Sequence, residues 1–438
     1  MIHQVLIFSN TCNNNCIFCS AASNDNVCLS MEEATRIIKD AVSTGIRDIV
    51  ISGREATTRE ELLPLVERAL KEGIRNISIQ TNARKFEDIE FLRKFKKPGV
   101  SFFSSIHGLT ADVHDELSGV PGSFEQTFQG LKNMLMLGFS VATNSVITKS
   151  NFKDIPKLTR LLYEIGVSLV TLAYPLPSGN APGNYNAISP KYSEIQPYVI
   201  ESFKVAAQFH RIGNIQGVPF CCLKGFEGYS NEAFYAFREE VFRGGEKQES
   251  ALAGRKILNT FGPPCNECSY SIFCEGVFKN YTELYGWSDI TPVILSHVVE
   301  EEGEEMEMNG SLYPIRMMPD KDSGQPVSPV VLIPRPFGGF MIYREKIFPL
   351  TEKGFNLISS LNGKVNLREI ESKFGSKALG FLVSLSKEEK LIKFIDRIER
   401  IVEQPYFSPG RSSFPDGKYE FELPRFGRRM LYPRIKLT

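Results

Sequence analysis

The chain has 438 residues, with 51 Lys plus Arg set against 51 Asp plus Glu, 42% hydrophobic and 23% charged. That length holds two or three domains, and the composition is that of a globular protein. The charge balance argues against general nucleic-acid binding, which brings a basic excess. No run approaches a membrane span, and residues 1–10 lack the basic start and apolar length of a signal peptide, so a cytoplasmic protein is expected.

Short apolar or β-branched runs at 4–9, 47–52, 76–81, 100–106, 140–147 and 168–173 read as strands. Helical patterns lie between most of them. Ser30 and Glu33 form a capping box ahead of Ala34, Ile37, Ile38 and Ala41. Thr58 and Glu61 repeat the device before Leu62, Leu63, Val66 and Leu70, and Gly45 and Gly73 fall where these helices should stop. Ser123 is the expected N-cap of a helix running through Leu135. Strands separated by helices imply right-handed βαβ units and a parallel sheet, either a partial (βα)6 barrel or an open doubly wound sheet.

The first expected strand leads into Cys12-Asn13-Asn14-Asn15-Cys16-Ile17-Phe18-Cys19. Three thiolates on a short loop can hold three irons of a 4Fe-4S cubane and leave the fourth open to a ligand. Zinc would need a fourth protein ligand nearby, and no His or Cys follows until Cys28. Cys28 itself is isolated and reads as a small apolar residue. The triplet with its aromatic Phe18 resembles the radical S-adenosylmethionine (SAM) superfamily. The resemblance implies that SAM chelates the open iron and is cleaved to methionine and a 5′-deoxyadenosyl radical, radical chemistry that belongs to the cofactor. It favours the partial barrel. It also implies that Ser52-Gly53-Arg54-Glu55-Ala56 stands where the family has Gly-Gly-Glu-Pro, with Gly53, Arg54 and Glu55 near the amino group of SAM. Arg54 and Ala56 depart from that pattern. Gln80-Thr81-Asn82 resembles the family's Thr-Asn-Gly strand end. Phe18, Thr81, Asn82, Ser104 and Asn144 are the further expected SAM contacts, since polar residues at C-terminal strand ends face a barrel's mouth. His107, Lys149 and Asn151 share that region, and His114 and Asp115 read as helix-start hydrogen bonders.

Cys265, Cys268 and Cys274 form a second group, C-x2-C followed by an x5 gap, with Cys221 and Cys222 some forty residues upstream. Grouped cysteines suggest metal ligation rather than disulfides. The arrangement resembles the auxiliary-cluster (twitch or SPASM-like) extensions of radical SAM proteins. It implies a second 4Fe-4S cluster on Cys265, Cys268, Cys274 and Cys221 or its neighbour, with a four-cysteine zinc site as the rival. Tyr270, Phe273, Phe278, Tyr281, Tyr285 and Trp287 would keep water out.

An acidic run, Glu300 to Glu307, reads as a solvated linker. Val330–Ile333 and Gly339–Tyr343 read as a hairpin, followed by helical patterns at 351–361, 366–374 and 376–390 and a strand at 391–394. This resembles the winged-helix-like peptide-binding domain of the pyrroloquinoline-quinone peptide chaperone, the RiPP recognition element. The resemblance implies that a precursor peptide adds as a strand to the sheet edge.

The expected organisation is a barrel at 1–215, an auxiliary-cluster extension at 216–298, a linker at 299–327, a winged-helix-like domain at 328–395 and a tail at 396–438. The expected function is radical modification of an unreactive C–H bond in a ribosomally made peptide, with electrons from a reductant such as flavodoxin or ferredoxin. The rivals are a small-molecule or RNA-modifying radical SAM enzyme with a structural tail, and a non-enzymatic Fe–S or zinc scaffold with a protein- or DNA-binding tail.

Overall fold

The computed structural model describes residues 3–22 and 28–294, apart from residues 212, 224, 234–238, 244–245, 249–256, 269 and 272–273, and then separate segments between 313 and 395. Seven strands, β1 (His3–Ser9), β2 (Asp48–Gly53), β3 (Asn76–Thr81), β4 (Val100–Ser105), β5 (Ser140–Val146), β6 (Leu169–Ala173) and β7 (Ile215–Gln216), lie side by side and parallel in chain order. β8 (Glu239–Arg243) extends the sheet parallel to β1, and β9 (Glu246–Gln248) closes that edge antiparallel. The helices between strands are α1 (Met31–Ser43), α2 (Leu62–Glu72), α3 (Ile89–Arg93), α4 (Ala111–Ser118), α5 (Ser123–Met136), α6 (Ile155–Glu164), α7 (Ala181–Ile188) and α8 (Tyr192–Gln208).

Burial alternates along the strands, and this separates the barrel from the doubly wound alternative. Leu6, Phe8, Ile49, Ile51, Ile77, Ile79 and Phe102 are buried in one core with the helices' apolar faces. Their neighbours Val5, Ile7, Val50, Ser78, Gln80 and Phe103 are only half-buried. A doubly wound sheet is covered by helices on both faces. Here helices cover one face and the other is a half-open concave lumen: the α/β half-barrel of the expected fold class.

The capping box of α1 forms as expected, with Glu33 N–H donating to Ser30 Oγ and Ser30 N–H to the Glu33 carboxylate. Gly73 ends α2 in the left-handed region, φ 108°. Two expected caps differ. Thr58 ends a 3-10 turn, Ala56–Thr58, and α2 starts four residues later. Its hydroxyl donates to the Glu55 carbonyl and pairs with the Thr11 hydroxyl at 2.6 Å, so it serves the cysteine loop. α5 is entered from Gly122, with Ser123 as its first residue. Asp115, one turn before the end of α4, supplies the cap: its carboxylate accepts from Gly122 N–H, Phe124 N–H and the Ser123 hydroxyl. Partial burial alone would raise the Asp115 pKa, but these hydrogen bonds outweigh it and hold the carboxyl below its ordinary value.

After the barrel a two-strand ribbon, β10 (Asn259–Thr260) with β11 (Val277–Phe278), brackets the second cysteine group and leads into α9 (Lys279–Tyr285). Further on, β12 (Tyr313–Arg316) pairs with β16 (Ile392–Ile395), so the strand expected at 391–394 has its partner in the expected linker. The expected hairpin is a three-strand antiparallel meander, β13 (Val331–Arg335), β14 (Gly338–Tyr343) and β15 (Lys346–Thr351). α10 (Leu367–Phe374) matches the second expected helix. Most of the first, all of the third and the tail 396–438 lie outside the described residues.

Asp115→Ala should lower stability by about 1 kcal/mol, the usual effect of losing a helix cap. Urea unfolding at pH 7 measures it, and the loss should shrink as pH falls through the lowered pKa of the parent carboxyl, where the parent loses its charged cap too.

Candidate active site

The cysteine loop follows β1 at its C-terminal end and has no regular structure. Its backbone is held from four sides. Arg54 N–H donates to the Ser9 carbonyl and Glu55 N–H to the Thr11 carbonyl, both at 2.9 Å. Asn82 Nδ2 donates to Asn13 Oδ1 at 2.6 Å, and Arg84 Nη1 donates to the Asn13 carbonyl and to Asn14 Oδ1. Asn15 and Ile17 N–H groups donate to the carbonyls of Ser118 and Leu117 at the end of α4. Asn180 and Asn184, one turn apart beside α7, donate their side-chain amides to the carbonyls of Cys16 and Ile17.

Two glycines make these approaches possible. Gly53 has φ 135°, and a β-carbon there would lie 2.3 Å from the Ser9 carbonyl oxygen. Gly179 has φ 61°, and a β-carbon would lie 2.2 Å from the Cys19 carbonyl oxygen. Both positions combine a left-handed backbone with contact too close for any side chain.

Phe18 seats the loop on apolar ground. It is buried with Leu117, Ala181 and Ile188, and its ring meets His107 edge-on at 4.6 Å. Fully burying such a side chain contributes about 1.5–3 kcal/mol. His107 is satisfied: its Nδ1 accepts from Val146 N–H, and its carbonyl accepts from Asn151. Its N–H donates to Nδ1 of His114. Lys149 donates to the Asn186 carbonyl.

Glu55 is fully buried. Its carboxylate accepts from the Thr57 hydroxyl, Thr57 N–H, Thr81 hydroxyl and Asn82 N–H, at 2.6 to 3.1 Å. Burial raises its pKa and the hydrogen bonds oppose that rise. Glu55 and Thr81 therefore act on each other and fix Asn82 against the cysteine loop.

The register of the sheet sorts the remaining strand-end residues. Ser105, Asn144 and Thr171 are aligned across β4, β5 and β6, and Asn144 Oδ1 is buried without a hydrogen-bond partner. Ser52 and Gln80 hydrogen-bond on the same lumen face. Ser104 shares the alternation of Phe102, whose ring packs on Phe86 and Phe139 beneath the helices. Ser104 thus lies on the helix-facing side, and Ser105 is the lumen position. Sequence reading also missed Arg84, Asn180 and Asn184 as loop-holding residues. The i, i+4 asparagines flanking a proline at 182 were the only available sign.

Cys12 and Cys16 each respond to the neighbouring thiols. Burial raises Cys12, with Glu55 and Cys19 adding to it. Burial, then Cys19 and Cys12, push Cys16 up to about 12. Buried neighbouring thiols resist ionisation unless a cation compensates, which is the donor set that iron ions suit. Among the described residues, no three His, Cys, Asp or Glu side chains gather as they would around a single metal ion.

Cys221, Cys265, Cys268 and Cys274 line one small cleft, part of it open to solvent, with Phe220, Phe261 and Tyr270. Cys222 does not line it. Cys222 is buried in the core, with its sulfur 4.0 Å from that of Cys221. Of the aromatics expected around this group, Tyr270 lines the cavity. Phe278 and Tyr281 stack instead with Tyr174 and Tyr192, Trp287 packs on Gly262, and Phe273 lies outside the described residues. Cys28 lies apart, 3.8 Å from Arg59 Nη1.

Residues 6–162 match the profile of the Radical SAM superfamily. These residues form a radical SAM domain. The protein is a radical SAM enzyme, with a 4Fe-4S cluster and SAM as its cofactors. It is similar to the AdoMet-dependent heme synthase of Methanosarcina barkeri, with 29% identity covering 60% of this chain and 87% of that protein. It is 34% identical to the Fe-coproporphyrin III synthase of the same organism over 35% of this chain and 39% of that one. Among solved structures it resembles SuiB of Streptococcus suis bound to S-adenosylmethionine, at 18% identity and a TM-score of 0.49, covering 67% of this chain and 76% of that chain. Among the described residues no helix is long and apolar enough to cross a membrane.

Burial holds His114 down to about 4, with Arg84 assisting against the pull of Asp115, and holds His107 well below 6.5, with His114 assisting. Between about pH 6.5 and 4 the unfolded chain therefore binds protons that the folded chain refuses. Stability should fall as pH drops through that window. Urea midpoints at pH 7 and pH 5 should differ less in His114→Gln than in the parent, and equal differences would show that His114 titrates freely.

Proposed function

We propose that this radical SAM enzyme modifies an unreactive C–H bond in a peptide, using Cys12, Cys16 and Cys19 as the ligands of the SAM-binding cluster and Cys221, Cys265, Cys268 and Cys274 as those of a second 4Fe-4S cluster. The cofactor supplies a radical able to abstract hydrogen. The chain supplies position. The loop contacts described above hold the cysteine loop, and the backbone of Gly53–Glu55 with Asn82 would receive the amino end of SAM. The unpartnered Oδ1 of Asn144, together with Ser105 and Thr171, offers polar contacts on the lumen face. The single observation that carries the reading is the stitching of an otherwise irregular cysteine loop to the segments after β2 and β3 and to helices α4 and α7 of a half-barrel.

Cys221 is favoured as the fourth ligand of the second site because it shares a cavity with the other three, whereas Cys222 is packed in the core. Burial pushes Cys265 and Cys274 upward in pKa, so metal loading there releases protons. The grouping of free cysteines in two clusters suits a cytoplasmic protein supplied by a flavodoxin or ferredoxin.

The peptide reading draws on the meander β13–β15 followed by α10. β15 lies beside the turn Glu227–Tyr229 of the cysteine-rich extension, while the outer edge of β13 pairs with no strand among the described residues. An open antiparallel edge can accept an added strand. A second reading is favoured by the heme synthase similarity, which spans most of that relative: a small molecule of the tetrapyrrole class, with the C-terminal segments structural.

Cys12→Ala, Cys16→Ala and Cys19→Ala should each abolish 5′-deoxyadenosine formation after anaerobic reconstitution and reduction, while Cys222→Ala should keep it. The parent should hold about eight irons per chain, Cys221→Ala about four, and Cys222→Ala about eight. A stable zinc ion with about four irons in the parent would favour the zinc alternative instead.

A short precursor peptide encoded beside the gene should bind the full chain and be modified. Removing residues 321–438 should raise the peptide concentration needed at least about tenfold and leave uncoupled SAM cleavage largely intact. Unchanged peptide affinity, or a tetrapyrrole that binds with a shifted visible absorption band and is consumed, would favour the second reading.

A further inference from the structure

Cys222 is the one cysteine of the second group that the proposed metal site leaves unused. It is buried in the core, and its backbone is held in place. Its N–H donates to the Pro219 carbonyl at 2.9 Å, and its carbonyl accepts from Gln196 Nε2 at 2.7 Å. Its sulfur lies 4.0 Å from that of Cys221, and among the described residues no other pair of cysteine sulfurs is in hydrogen-bond contact. The two thiols differ in access. Cys221 is half-buried and lines the cleft that opens in part to solvent, whereas Cys222 is 5% exposed and does not line it. A soluble oxidant therefore meets Cys221 first, with a second thiol already in contact behind it.

A thiol oxidised by a peroxide becomes a sulfenic acid, which condenses with a nearby thiol to a disulfide. We propose that Cys221 and Cys222 form a reversible oxidation site, with Cys221 as the thiol attacked and Cys222 as the thiol that resolves it. In the first step the Cys221 thiol takes one oxygen from hydrogen peroxide and water leaves. In the second the Cys222 sulfur displaces that oxygen as a second water, and the S–S bond forms. The two sulfurs together lose two electrons, and the peroxide accepts them. Adjacent residues hold their Cα atoms about 3.8 Å apart. Ordinary disulfides span roughly 4.4–6.8 Å between Cα atoms. The small ring is therefore strained, and strained disulfides are the labile ones that a dithiol readily reopens. The inference rests on the reading of the second cysteine group in one respect only. If Cys221 is a metal ligand, closing the ring takes that ligand away.

The test uses the full chain, prepared anaerobically without metal and treated with hydrogen peroxide. Free thiols are then blocked with iodoacetamide and the protein is cut with trypsin. Cleavage after Arg211 and Lys224 leaves both cysteines on one peptide, residues 212–224. That peptide should be two hydrogens lighter than its reduced form and carry no blocking group. A dithiol added before blocking should restore two blocked cysteines. In Cys222→Ser the ring cannot close, and Cys221 should persist as a sulfenic acid trapped by dimedone, or pass on to sulfinic acid. Two blocked cysteines in the oxidised parent, or Cys221 joined to Cys265, Cys268 or Cys274, overturns the proposal. That parent result decides even if the variant fails to fold. Iron uptake in the Cys12→Ala/Cys16→Ala/Cys19→Ala chain then tests the link to metal. With iron and sulfide but no thiol reductant, about four irons in the reduced chain should fall to nearly none once the ring is closed. Equal iron with the ring closed would keep the oxidation site and strike Cys221 as a ligand, a failure of the earlier reading distinct from a failure of this one.

Discussion

An irregular loop must present three thiols in fixed positions, and nothing in its own sequence fixes them. Residues 10–20 contain no helix and no strand. Cys19 N–H donates to the Cys16 carbonyl within the loop, and the other backbone groups described above are satisfied from outside it. Each outside partner sits at the C-terminal end of a different strand or at the helix that follows it. The half-barrel is therefore the frame that brings residues 54, 82, 84, 117, 118, 180 and 184 around one short loop. Ordering that loop costs about 1–2 kcal/mol of backbone entropy per residue, and the converging hydrogen bonds and the burial of Phe18 oppose that cost.

The same constraint explains why polar residues are tolerated at the base of the site. Glu55 is a carboxylate with almost no access to water. It survives there because every approach to it is a donor from the chain. The residues that look most like ligands in the sequence, Glu55 and Thr81, are in fact occupied with each other. Among the described residues, the buried side-chain atoms without a hydrogen-bond partner include Asn144 Oδ1 and Arg54 Nε, and also Ser104 Oγ, Thr143 Oγ1 and His114 Nε2.

The strands and α1 were legible because their signals are local. A β-branched run, a serine followed three residues later by glutamate, and a glycine after the last apolar position each act over one turn. Thr58 and Ser123 carry the same local signal yet serve other partners, because Thr11 and Asp115 lie close only in the fold. Arg84 and Asn180 left almost no trace, since their contacts cross 70 and 164 positions of sequence. Ser104 and Ser105 differ by one step of strand alternation. The sequence pattern around them, Val-Ser-Phe-Phe-Ser-Ser, does not say which face meets the helices. Only the packing of Phe102 against Phe86 and Phe139 does.

The two cysteine groups illustrate how proximity in sequence and proximity in space diverge. Cys221 and Cys222 are neighbours in a 3-10 turn, with their sulfurs 4.0 Å apart. One meets Cys265, Cys268 and Cys274 across a cavity, and the other joins the core behind it. The cavity is closed on one side by Phe220 and Tyr270, and the ribbon β10–β11 ties the ends of the loop that bears the other three cysteines. Gly276, with φ 88°, lets that loop pass within contact of the Thr260 carbonyl and lends its N–H to the Cys274 sulfur. The cysteine-rich segment thus resembles the first loop: little regular structure of its own, held by the ribbon at its ends and by the hydrogen bond from Gly276 to the Cys274 sulfur.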